Sequence, residues 1–166
     1  MERVLIKTQQ NVRSRLTGLL LICLLLLPLP IFAQAPSSVE TPDEQTMSEL
    51  SIAYSKHEII QLLMQKGDFE TAFEEFEKIL ALRIPAEYED ALFKEVIIVT
   101  RKFYELDQKE FAYSALDKGL DRLSQIDFQA KLLNIKASLL KSDGKLDEAI
   151  QTYKNEIMLR EKAIKE

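Results

Sequence analysis

Two stretches of this chain nearly repeat one another: QKGDFETAFEEFEKIL, from Gln65 to Leu80, and KSDGKLDEAIQTYKNEI, from Lys141 to Ile157. With Gly67 laid on Gly144, Phe69 matches Leu146, Ala72 matches Ala149, Phe76 matches Tyr153 and Leu80 matches Ile157, all 77 residues apart. Ala112, Leu116 and Leu120 fall into the same frame between them and divide the interval into steps of 40 and 37. One unit is therefore written three times. A short unit with one apolar face cannot bury that face alone, so its copies must stack.

Helical punctuation surrounds each copy. Thr41-Pro42-Asp43-Glu44 reads as a start, with Thr41 as cap, Pro42 at the first helical position and Glu44 reaching back. Met47, Leu50, Ala53, His57, Ile60, Leu63 and Met64 then recur at helical spacing up to about Lys66, and Gly67 supplies a left-handed stop. Asp68 opens a second helix to about Leu82, and Pro85 a third with Leu92, Val96, Val99, Phe103 and Leu106 inside. A fourth spans about Gln108 to Leu123. The fifth begins near Asp127, with Ser124 and Asp127 as a capping pair, and carries Leu132, Leu133, Ala137 and Leu140. Ser142-Asp143-Gly144 turns the chain into the last. Only VIIVT (Val96 to Thr100) is β-branched enough to compete as a strand. The expectation is an all-α domain over 42–166, built of hairpins at about 42–82, 85–123 and 127–166.

The N-terminal part differs in kind. Arg3, Lys7, Arg13 and Arg15 precede an apolar run, Leu16 to Leu27, that ends in PLPIFAQAP. Residues 1–33 are therefore expected to be a signal-peptide helix with cleavage after Ala33, and 34–41 a polar linker. The alternative is a membrane anchor over 16–33, which Pro28 and Pro30 disfavour because each removes a helical N–H. Export implies a periplasmic or extracellular protein, associated with a membrane only if the segment stays uncleaved. Cys23 is the single cysteine, so the processed chain could form no disulfide.

Removing 1–33 leaves 18 basic and 26 acidic residues, a net charge of −8, which disfavours nucleic acid as a general partner.

The repeated signature resembles the tetratricopeptide repeat (TPR). In that family a small residue opens the second helix of each hairpin, and an aromatic, a tightly packed Ala, a second aromatic and an aliphatic pair follow. GDFETAFEEFEKIL and GKLDEAIQTYKNEI carry this pattern, whereas QKEFAYSALDKGL keeps its Ala and aliphatics. In the first helices, Ile60 and Thr100 stand where the family prefers a small residue and Ala137 obeys. The resemblance covers most of Ser48 to Arg160. It implies a short right-handed solenoid of three stacked antiparallel hairpins whose first helices line a concave groove.

Chemistry is sparse. One His, no Trp and four scattered glycines leave no metal cluster, phosphate loop or nucleophile pair to argue from. His57 has no Asp or Glu at a spacing that would make it a ligand pair. Glu70, Glu74, Glu75 and Glu77 read as a solvated face. No catalytic residue, metal or cofactor is expected.

The inward positions that the resemblance implies are Tyr54, His57, Gln61 and Met64; Lys94, Ile97, Arg101 and Tyr104; and Lys131, Asn134, Ser138 and Lys141. Four cations gathered there suit an extended or acidic peptide of a protein partner. The chain is thus expected to be a non-enzymatic interaction scaffold. Self-association through Ile157, Met158 and Ile164 is the alternative.

Overall fold

The computed structural model describes residues 42–165. The expected signal segment, the linker, Cys23 and the Thr41 cap lie outside the described residues. No described helix is long and apolar enough to cross a membrane.

The described residues form six α-helices and no strand: α1 (Glu44–Lys66), α2 (Phe69–Leu80), α3 (Glu89–Glu105), α4 (Lys109–Arg122), α5 (Ile126–Ser142) and α6 (Leu146–Lys165). VIIVT is helical within α3, because Val96 and Val99 there sit on one fully buried face. α1 packs mainly on α2, α3 on α4 and α5 on α6, giving three hairpins. Adjacent hairpins meet chiefly through α2 with α4 and α4 with α5.

Three helix starts differ from the sequence expectation. α1 begins at Glu44, with Asp43 rather than Thr41 as cap and Pro42 outside the helix; the Thr46 amide donates to Asp43 Oδ1 at 2.6 Å. Pro85 is extended and leads into a single 3-10 turn, Ala86–Tyr88, before α3. α5 begins at Ile126 without a side-chain cap from its own flank. The expected Ser124/Asp127 pair is replaced by Glu89, a buried carboxylate on α3 that accepts from the Ser124 and Gln125 amides and the Ser124 hydroxyl at 2.8–3.1 Å. Burial alone would raise the Glu89 pKa. These hydrogen bonds and Arg122, 4.0 Å away, outweigh it and hold the group below the usual carboxylate range.

The repeat is a repeat of backbone geometry. Gly67, Asp107 and Gly144 all have left-handed φ, at 77°, 59° and 75°. Asp107 stands 40 residues after Gly67 and 37 before Gly144, so the steps seen in the apolar frame recur in the turns. Asp is among the few non-glycine residues that tolerate this region. At each turn the next amide returns to a carbonyl five residues back: Asp68 to Leu63, Gln108 to Phe103 and Lys145 to Leu140. That is the Schellman closure of a helix C-terminus. The following helix then starts alike, with the amides of Ala72, Ala112 and Ala149 donating to Asp68, Gln108 and Lys145. All three alanines are buried, which lets the two axes of each hairpin approach closely.

Phe69, Phe73, Phe76, Phe103 and Phe111 form an aromatic cluster joining the first two hairpins, with ring centroids 5.2–6.4 Å apart. Such contacts add roughly 0.5–1.5 kcal/mol per pair beyond area burial. Arg122 on α4 donates to the carbonyls of Leu80, Leu82 and Ile84, satisfying the exit of α2 from the second hairpin.

Candidate functional site

A cleft of about 330 Å³ opens between α1 and α3. Leu50, Ala53 and Tyr54 form its α1 wall, Ala91, Leu92 and Ile98 its α3 wall, and Ile79 and Ile84 complete it. Its lining is aliphatic apart from Tyr54 and one polar pair, His57 and Glu95.

The pair bridges the two walls. His57 Nδ1 lies 3.0 and 2.9 Å from the two Glu95 carboxylate oxygens, so one imidazole N–H can serve both. The carboxylate is largely shielded from water by the helices around it. Desolvation raises its pKa above the ordinary value, and His57 only partly counters the shift. Tyr54 stands at the mouth, 69% exposed.

The residues expected to line a groove separate into three groups. Tyr54 and His57 line the cleft, with Gln61 and Met64 further along α1, half-buried and buried. Lys94, Arg101, Lys131, Asn134, Ser138 and Lys141 are exposed on α3 and α5. Lys94 is joined to Asp90 one turn back at 2.8 Å, and the Lys131 ammonium lies over the Phe93 and Phe128 rings at 5.8 and 5.6 Å. Half-buried Tyr104 donates its hydroxyl to Asp143 Oδ1, and so ties α3 to the third hairpin.

Sequence reasoning missed Glu95, Ile98, Ala91, Leu50 and Ile84. On α3 it followed the offsets 94, 97, 101 and 104, whereas the side facing α1 is 91, 95 and 98. The available signal was Glu95 itself, an acid at helical spacing between Ala91 and Ile98 and directly before the buried Val96. His57 likewise has a carboxylate partner after all, 38 residues away on another helix. Among the described residues, no three His, Cys, Asp or Glu side chains come together as a metal site.

No family model, curated protein or solved structure matches this chain.

Proposed function

We propose that the chain is an exported, non-enzymatic interaction module, a TPR-like stack of three hairpins that binds an extended segment of a partner protein of the cell envelope. The observation that carries this reading is the α1–α3 cleft: an aliphatic hollow about the size of one or two side chains, with a single hydrogen-bonding pair at its wall. The hollow suits one apolar anchor residue of the peptide, with His57 and Glu95 fixing a polar group beside it.

The exposed cations on α3 and α5 support acidic residues on one side of that anchor. Arg101, Lys131 and Lys141 are exposed and would steer such a segment by their charge, while Lys94 is already partnered by Asp90. The repeated turn geometry at Gly67, Asp107 and Gly144 supports the stacked-hairpin reading of the fold.

The test is selection from a random peptide library displayed against the purified chain. Binders should share an apolar anchor beside acidic residues. Tyr54→Ala and Ile98→Lys, both at exposed lining positions, should weaken such a peptide at least tenfold, and Arg101→Glu/Lys141→Glu should weaken it most at low salt. Equal affinity for wild type and all three variants, with helicity unchanged, would sink the reading.

A further inference from the structure

The second helix of each hairpin offers the next one a face at fixed offsets from its left-handed turn residue. On α2 that face includes Phe69, Phe73 and Leu80. Phe69 and Phe73 pack on Phe103 of α3, and Phe73 also on Phe111 of α4. On α4 the same offsets give Lys109, Tyr113 and Leu120. Lys109 and the Tyr113 hydroxyl both bind Asp143 in the turn of the third hairpin, and the Leu120 carbonyl accepts from Gln129 of α5. On α6 the equivalent residues are Leu146, Ile150 and Ile157, and they are 59%, 53% and 52% exposed. These are large aliphatics placed where the two earlier hairpins each receive a neighbour.

α1 presents the converse. On α3, Phe103 meets Phe69 and Phe73 of the preceding hairpin, Leu92 lines the cleft shared with α1, and Val99 lies buried between them in the sequence at helical spacing. Forty residues earlier, the step between the two turns, stand Ile52, Ile59 and Leu63 of α1. Ile52 and Ile59 are 43% and 45% exposed.

We propose that the α6 face binds the α1 face of a second copy of this chain, so that copies add head to tail and continue the hairpin stack. The argument is continuity with the two junctions the molecule already builds, in which α2 meets α3 and α4, and α4 meets α5; an α6–α1 contact repeats the second of these, a second helix against the first helix of the next hairpin. α6 offers the accepting surface at the offsets used by α2 and α4, and α1 offers the entering surface at the offsets used by α3. Because the two faces differ, the contact is heterologous and can repeat beyond a dimer. It does not depend on the peptide reading of the α1–α3 cleft.

Internal equivalence also fixes which residues meet. Tyr113 and Asp143 bond at 2.7 Å across the second junction; their equivalents at the intermolecular junction are Ile150 and Lys66 of the next copy. The test uses the full chain carrying Cys23→Ser, produced in its own cells and treated with a short bis-maleimide, each end of which adds one cysteine thiol across its double bond. Ile150→Cys/Lys66→Cys should give a ladder of dimers, trimers and larger species, and each single variant should give none. Adding Ile157→Glu at its exposed position should abolish the ladder without changing helicity. A dimer formed by Ile150→Cys alone would mean that α6 pairs with α6, and would overturn the proposal. So would reactive thiols in the double variant that yield only monomer, or a ladder that survives Ile157→Glu.

Discussion

Tyr113 donates its hydroxyl to Asp143 Oδ2 at 2.7 Å, fastening α4 to the turn between α5 and α6. Tyr104 and Lys109 bind Oδ1 of the same carboxylate, at 2.8 and 2.7 Å. Three donors from the second hairpin thus converge on one acid of the third. Their combined effect, Lys109 first and the two tyrosines next, pushes the Asp143 pKa down to about 2.

A carboxylate whose folded pKa is depressed contributes stability that is complete above its unfolded pKa and disappears as pH falls through the folded one. For Asp143 that window runs from the ordinary 3.8 down to about 2. Urea midpoints of the wild type should therefore fall more steeply over this interval than those of Asp143→Asn, which should start lower and converge with wild type in acid. Parallel curves would show that the three hydrogen bonds add nothing to the junction.

Glu95 should bend the curve the other way. Its pKa is raised by desolvation, so the native state holds the proton more tightly than the unfolded chain does. Stability from this group is then greatest in acid and declines as pH rises from the ordinary 4.5 through the higher folded value. Glu95→Gln removes the titration while keeping a hydrogen-bonding partner for His57. Relative to wild type, the variant should gain stability as pH climbs from 4.5 through the folded value and hold that gain above it, and a difference that does not vary with pH would contradict the assigned shift.

The helices were legible because their apolar spacing and turn residues are local. Gly67 and Gly144 mark their turns openly, and Ala72, Ala112 and Ala149 fix the frame. Asp107 was not legible as a turn, since nothing in its residue type demands a left-handed φ; only the equal offsets do. The cap of α5 was misread for a related reason. Its acceptor, Glu89, comes from another helix 35 residues away, beyond any local rule. The same limit governed the site. Tyr54 and His57 were implied by the repeat resemblance, but the side of α3 facing them depends on how the two hairpins rotate against each other. The phenylalanine cluster packs across that junction, and its contacts span two hairpins that no local pattern relates.

Thr100 is buried in α3, and its Oγ1 has no hydrogen-bond partner among the described residues. Burying an unpaired hydroxyl costs about 1–3 kcal/mol, whereas a methyl of similar shape costs nothing in lost hydrogen bonds. Thr100→Val keeps the β-branch and nearly the volume, so it should raise stability by about 1 kcal/mol. The check is the urea midpoint at constant slope, and a loss of stability would mean that the hydroxyl is satisfied in solution.

Gly119 sits in the last turn of α4, where a Cβ would lie 2.7 and 2.9 Å from the two Val96 methyls and 3.0 Å from Leu132 Cδ1. Alanine would normally favour a helix interior by roughly 0.5–1 kcal/mol over glycine. Here the added carbon meets a β-branched side chain with little rotamer freedom, itself fully buried, so the packing between α3 and α4 has to open. Overpacking of this kind costs about 1–3 kcal/mol, enough to reverse the helical gain. Gly119→Ala should therefore destabilise the wild type but cost much less in a Val96→Ala background, where the obstructing methyls are gone. Unfolding of all four chains in urea gives the coupling between the two sites, expected at about 1 kcal/mol or more for residues in direct contact. Additive effects would mean that α4 is not held against α3 at this glycine, and that close packing of the second hairpin depends instead on Ala112 and Ala115.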